Sequence, residues 1–390
     1  MTPSPTLADH PTVRSAYPGL KRGIYLNIGT YGIMPRPALC QYLELVEEYE
    51  AHGLLSTSAV GQKAEQTREA LASLLGCERT QIAFTGNATD GTNLVLAGMT
   101  WQAGDEVIIT DEEHEAVYHP LLYLQKTQGI CIKRISVSPD PDVMRARCAA
   151  VASEATRLLV FSHVTCETGT RLPATELCAW ARERGILSLV DGAQSLGVFK
   201  TRVQEIGCDF YTGNGHKWLC GPKGTGLFYA SPEQLPKLSP AHVGAGSLET
   251  ANIDTGVADL WSSGQRFEFG TRATTLYGGL GYSLAWLGSL GWEAIERYIE
   301  ELSSDLKARI LERSYLRLLT PLPFEEASGL TTFVMDGWDA GEVSRELWVR
   351  ERIRVRVVPH YNAIRIATAH FNNQEDLDVL MATLDTLASP

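Results

Sequence analysis

The sequence predicts an α/β protein: a mostly parallel sheet covered by helices, followed by a small C-terminal α+β unit. Three observations carry this. Between residues 81 and 191, short runs rich in Ile, Val and Leu alternate with helix-type stretches, as βαβ units do. Residues 209–229 read as strand, tight turn, strand, because Phe210 and Tyr211 favour a strand while Gly213, Gly215, Gly221, Gly224 and Gly226 let the backbone turn closely. Short strands and helices then recur over residues 331–388.

Taken in order, residues 1–20 are expected to be an irregular arm, and 23–32 a short strand running into a glycine turn. Pro35 opens a helix through residue 50, with Leu43, Val46 and Tyr49 at helical spacing. A second helix, 61–76, ends at Gly76. Strands are expected at 81–85, 105–110, 131–137, 157–164 and 186–191. The helices between them start near residues 86 and 113 and cover 141–154 and 173–185. Residues 231–265 are rich in Gly, Pro, Ser and Thr and read as a long active-site or interface loop. Helical patterns follow at 276–299 and 293–313, then strands at 331–335, 353–358 and 364–368 with helices at 340–350 and 374–388. Residues 21–290 are expected to form the large domain; 1–20 and 291–390 form the small one.

Composition narrows the function. The chain has 390 residues and a net charge of −12, which disfavours nucleic acid or an anionic membrane as partner. No run approaches the roughly 18 apolar residues of a membrane span, and no signal peptide is visible at the N-terminus. The cysteines at 40, 77, 131, 148, 166, 178, 208 and 220 are scattered, without a Cys-x-x-Cys pair. They read as reduced cytosolic thiols, not as disulfides or a metal site, so the expected location is the cytoplasm.

Four features sit where strands end, the place at which open parallel sheets bind ligands. Gly86-Asn-Ala-Thr89 begins a helix whose free N–H groups would hold a phosphate; helix capping by Asn87 or Thr89 is the plainer reading. In Glu113-His-Glu-Ala-Val-Tyr-His119 the two histidines are not spaced as a metalloprotease pair. His114 is either a ring stacked on a flat ligand or a capping residue. In Val190-Asp-Gly-Ala-Gln194, Asp191 ends an apolar strand and needs a cationic partner, a pyridinium N–H or an arginine, while Gln194 can donate to an anionic oxygen. Lys217, beside His216 on the glycine-rich turn, has the partial burial that frees an amine as a nucleophile, or is simply a basic hairpin residue. Together these are the requirements of a pyridoxal phosphate site.

Asp191-Gly-Ala-Gln194, Asn214-Gly-His-Lys217 and Gly221-Pro-Lys-Gly-Thr-Gly226 resemble the class V, pyridoxal-phosphate-dependent aminotransferase and cysteine desulfurase family, of fold type I. The resemblance runs from about Tyr25 to the C-terminus. It implies pyridoxal 5′-phosphate as cofactor, joined to Lys217 as a Schiff base, with His114 stacked on its ring. It further implies Asp191 at the ring nitrogen, Gln194 at the ring oxygen, and Ala88, Thr89 and His216 at the phosphate. Asn214 stands where the family often has serine. Phe267-Glu-Phe-Gly-Thr271 is similar to the segment whose threonine reaches the neighbouring subunit's cofactor, so Thr271 implies a homodimer. Arg365, in Ile-Arg-Ile-Ala-Thr368, matches the arginine that clamps the carboxylate of an amino-acid substrate; otherwise it is a strand-surface arginine like Arg354 or Arg356.

Two departures from the family matter. The loop 357–363 has no cysteine where desulfurases carry their nucleophile, and Cys166 replaces an asparagine. The chain is therefore most similar to the cystine/cysteine C–S lyases of the family, which eliminate sulfur and release pyruvate. An epimerase of the isopenicillin N type, a desulfurase or an aminotransferase is the alternative. A cofactor-free binding protein is a further reading, opposed by the intact Lys217, Asp191 and His114.

Overall fold

The computed structural model describes Leu7 and residues 10–388. Seven strands form the main sheet: β1 Ile82–Thr85, β2 Glu106–Thr110, β3 Cys131–Ile135, β4 Thr156–Ser162, β5 Leu187–Asp191, β6 Phe210–Asn214 and β7 Gly226–Ala230. Their order is β1-β7-β6-β5-β4-β2-β3. Every pairing from β6 to β3 is parallel. Only β7 runs antiparallel to its neighbours β1 and β6. The expected mostly parallel sheet is therefore present, with the strand–turn–strand 209–229 supplying its antiparallel strand.

The pleat divides each strand between two cores. Ile108, Leu159, Phe161, Val190 and Tyr211 face one helix layer. Val107, Ile109, Val160, Leu189 and Phe210 face the other. Both faces are covered, which is why these strands read as continuous apolar runs.

A four-stranded sheet, order β10-β11-β13-β12, builds the C-terminal part from β10 Leu316–Leu318, β11 Leu330–Met335, β12 Arg356–Val358 and β13 Ala363–Ala367. Phe333, Met335, Ile364 and Ile366 pack on Leu302, Leu306 and Ile310 of helix Trp292–Leu311 and on Leu377, Leu380 and Leu384 of helix Gln374–Ala388.

Several local expectations are corrected. Within the arm, residues His10–Ser15 form a helical turn; residues 1–6, 8 and 9 lie outside the described ones. The stretch 23–32 makes only single bridges, Tyr25 to Arg354 and Asn27 to Ala367, because it lies beside the second sheet. Leu26 joins that sheet's core. Helix Arg36–His52 buries Ala38 and Leu45, whereas Leu43 is 56% exposed. The loop 231–265 contains an exposed hairpin, β8 Leu248–Asn252 with β9 Val257–Leu260. The long helical pattern after 276 is two helices, broken at Gly291 with φ 87°.

The glycines of helix Thr274–Leu290 have a packing reason. A Cβ on Gly278 would lie 2.4 Å from Leu45 Cδ2, and one on Gly281 2.2 Å from Thr67 Oγ1. Close approach of neighbouring helices outweighs the propensity cost, about 1 kcal/mol per glycine.

Candidate active site

A cavity of about 540 Å³ opens at the carboxyl ends of the main-sheet strands. Each strand that reaches it delivers one polar group: Ser162 from β4, Asp191 from β5 and Asn214 from β6. The segment after β2 adds His114, and the helix after β1 adds Ala88 and Thr89. Lys217 and His216 come from the turn after β6, and Arg365 from β13 of the second sheet. Nine of the ten expected positions thus line one cavity; Thr271 does not.

The Lys217 turn is locked from outside. Gly32 donates its N–H to His216 O at 2.7 Å, and Lys223 Nζ donates to Gly32 O at 2.6 Å. A Cβ on Gly32 would stand 2.1 Å from Lys217 O, so the contact requires glycine. Burial pulls the Lys217 amine down to about 8, opposed by the nearby Asp191 carboxylate.

Asp191 is 4% exposed. Its Oδ1 accepts the Ala193 N–H at 2.8 Å, and its Oδ2 has no partner among the described residues. A buried carboxylate with one open oxygen suits a cationic N–H from a ligand.

Gln194 is held at both ends of its amide. Nε2 donates to Gly29 O at 2.8 Å, and Oε1 accepts from Trp218 Nε1 at 3.0 Å. One Nε2 hydrogen remains for a ligand oxygen. Trp218 escaped the sequence reading, although a buried indole beside Lys217 needs an acceptor nearby.

His114 lines the cavity and also caps a helix. It is the N-cap of helix Glu115–Gln128, where Nδ1 accepts from Ala116 N at 3.0 Å. This places the ring proton on Nε2. Burial and the neighbouring Lys217 lower its pKa, so the imidazole is neutral.

The helix start at Ala88 is likewise both capped and open. Asn87 Oδ1 accepts from Asp90 N at 3.0 Å, and Asn214 Oδ1 accepts from Ala88 N at 2.9 Å. The Ala88 amide, expected at a phosphate, is therefore already occupied. The Thr89 amide and hydroxyl have no partners among the described residues and stay available to an anion. His216 Nδ1 lies 3.3 Å from Thr225 O, which turns the ring's other edge towards the cavity it lines.

Arg365 is 2% exposed. Its Nη1 donates to Cys166 O, its Nη2 donates to Thr30 Oγ1 at 3.3 Å, and its Nε is buried without a partner. Burial lowers it to about 10, still a cation at neutral pH. Arg356 on β12 stands directly opposite Arg365 and lines the same cavity. Arg354, by contrast, stacks its guanidinium 4.0 Å from the Trp348 ring. The sequence alone does not separate Arg354 from Arg356, because strand register is not visible in it.

Thr271 is exposed and does not line this chain's own cavity. Its segment is anchored by Glu268, which accepts from Phe84 N and Arg68 Nη1, each at 2.7 Å. Among the described residues no His/Cys/Asp/Glu group has the makings of a metal site, and no helix is long and apolar enough to cross a membrane.

Known proteins are similar to this chain over nearly its whole length. An isopenicillin N epimerase from Streptomyces clavuligerus is 32% identical over 93% of this chain and 94% of its own. A probable cysteine desulfurase from Methanothermobacter thermautotrophicus is 26% identical over 96% and 97%. C-DES, a cystine C–S lyase, has been solved with glycine covalently linked to its PLP cofactor and with its reaction product cysteine persulfide. Those structures are each 28% identical to this chain, with TM-scores of 0.88 and 0.87, covering 95% and 94% of this chain and 98% of each C-DES chain. The family model described as aminotransferase class-V matches residues 33–380, and the chain belongs to that family.

Proposed function

We propose that this chain is a pyridoxal-phosphate-dependent C–S lyase that converts L-cystine and water into pyruvate, ammonia and cysteine persulfide. The observation that carries the reading is the pair of arginines, Arg356 on β12 and Arg365 on β13, which stand opposite each other and both line the cavity; the 357–363 segment between them holds no cysteine. Cystine has two carboxylates. Arg365 would hold the one on the reacting half, and Arg356, nearer the cavity mouth, the one on the departing half. Cysteine persulfide is more acidic than a plain thiol, hence a better leaving group.

The residues fit the cofactor. Thr89 and His216, with Asn214 at the helix start, would surround its phosphate. His114 would lie on the ring, Asp191 would hold the ring nitrogen and Gln194 the ring oxygen. When bound, pyridoxal phosphate withdraws electrons from the substrate Cα, so that a proton and then the β-sulfur can depart. The protein supplies the rest. Asp191, with Oδ2 open, would hold a proton on the ring nitrogen. Lys217, held as a low-pKa amine, takes the proton from Cα at Nζ. Arg365 fixes the Cα–H bond towards that amine.

Cys166 lines the cavity, but burial raises its thiol to about 11. At neutral pH it is protonated and a poor sulfur acceptor. We place the enzyme in the cytoplasm as a homodimer, with the exposed Thr271 reaching the partner's cofactor.

Similarity to an epimerase leaves a second reading, inversion at Cα without loss of sulfur. Product analysis separates the two. Purified holoenzyme with L-cystine should give pyruvate and persulfide in equal amounts. D-cystine without pyruvate would mean epimerisation, and alanine would mean desulfuration.

A further inference from the structure

Successive residues of an extended strand point to opposite faces. Ser162 lines the active-site cavity, and the next residue, His163, lines a separate cavity of about 410 Å³ on the other side of β4. His163 is 5% exposed. Its Nδ1 is buried without a partner, and no bond to its Nε2 occurs among the described residues. Phe199 meets the ring edge-on at 5.1 Å.

The same cavity receives the start of helix Ala174–Arg182. Its N-cap is Pro173, which makes no side-chain cap. The first helical bond is Leu177 N to Pro173 O, so the amides of Ala174, Thr175 and Glu176 have no partner among the described residues. Arg171 completes the wall. Its guanidinium stacks 3.8 Å from the Phe199 ring and has neither an ion pair nor a side-chain hydrogen bond among the described residues.

We propose that this second cavity binds an oxyanion, the phosphoryl or carboxylate group of a small molecule, between Arg171, His163 and the open amides of residues 174–176. Three free N–H groups at the positive end of a helix, an unpaired guanidinium and an unpaired buried ring are complementary to such a group. In the same lining Arg171, Lys200 and Arg202 are matched in number by Glu176, Glu205 and Glu325, which favours a single oxyanion over a polyanion. Leu172 N bonds His163 O at 2.9 Å, and Val164 pairs with Arg171. The occupant would therefore order the loop 163–172, whose Cys166 carbonyl holds Arg365.

The test uses holoenzyme, so that the cofactor's own phosphate position is filled. It is titrated by calorimetry with inorganic phosphate and, separately, with succinate; the tighter of the two identifies the group. We expect one saturable site below roughly 10 mM, weakened about tenfold or more in Arg171→Gln. Phosphate should also slow amide exchange in a peptide covering 163–176 of the wild-type protein, a readout that needs no variant. Lys200→Gln, at the exposed wall, should weaken binding by a smaller factor. Absence of saturable binding by both probes, unchanged affinity in Arg171→Gln, or exchange slowed elsewhere but not in 163–176 would each overturn the proposal.

Discussion

The indole of Trp218 donates to the side-chain oxygen of Gln194 at 3.0 Å and thereby decides which end of that amide faces the cavity. With Nε2 already bonded to Gly29 O, the orientation of Gln194 is set before any ligand arrives. Trp218→Phe keeps an aromatic ring but removes the donor and leaves a void where the buried indole stood. It should cost more stability than the net worth of one hydrogen bond, about 1 kcal/mol, because a cavity is added, and leave Gln194 held only through Nε2. Thermal denaturation and the cofactor's absorption maximum check this. A shifted maximum is expected, and an unchanged one would separate Gln194 from the cofactor.

Gly32 predicts a sharper effect. Its missing side chain lets the 23–32 segment close on Lys217 O, which an added Cβ would meet at 2.1 Å. Gly32→Ala must displace the turn that carries Lys217. We expect a loss of roughly 2–4 kcal/mol, in the range of severe steric substitutions, together with weakened cofactor retention on gel filtration.

Lys217 sets a pH dependence. Its amine is held down to about 8 by burial, below the ordinary 10.5. Below 8 it is protonated and unreactive; above 8 it is neutral. Reconstitution of apoenzyme with pyridoxal phosphate should accelerate with a midpoint near pH 8. The same depression opposes folding below pH 8, and apoenzyme stability should regain that contribution between about 8 and 10.5.

Glu113 is a second titrating group, behind His114. Burial raises its carboxyl to about 7, although Thr110 Oγ1 donates to it at 2.6 Å and Ser162 Oγ at 2.8 Å. Its folded pKa lies above the unfolded value of about 4.5, so wild-type stability falls as pH rises from 4.5 to 7 and then levels off. Glu113→Gln lacks that term. Its urea midpoint should gain on the wild type across that window and hold the gain above pH 7.

Much of this was legible in the sequence because the signals are local. Strand–helix alternation, the glycine turn around Lys217 and the apolar run ending at Asp191 each lie within one short stretch. What escaped depends on pairing between distant stretches. Arg356 enters the cavity only because β12 is in register with β13, and Trp218 matters only because Gln194 lies across from it. The Ala88 amide looked free until Asn214, more than a hundred residues away, was brought against it. Short β10 and the β8–β9 hairpin were missed for another reason: strands of three to five residues in polar sequence carry little periodicity.

The two arginines separate substrates. Arg365→Lys should lower kcat/KM for cystine and cysteine alike, by about 10- to 100-fold for a charge-assisted bond of roughly 1.5–3 kcal/mol. Arg356→Ala should act on cystine alone.

The most direct measurement is the rate of pyruvate release from L-cystine and from L-cysteine, at equal concentration, by wild type and Arg356→Ala. The cystine-lyase reading predicts that wild type prefers cystine and that Arg356→Ala loses most of that preference through a raised KM. Equal rates on both substrates in wild type, or a preference for cystine that survives without Arg356, would contradict it.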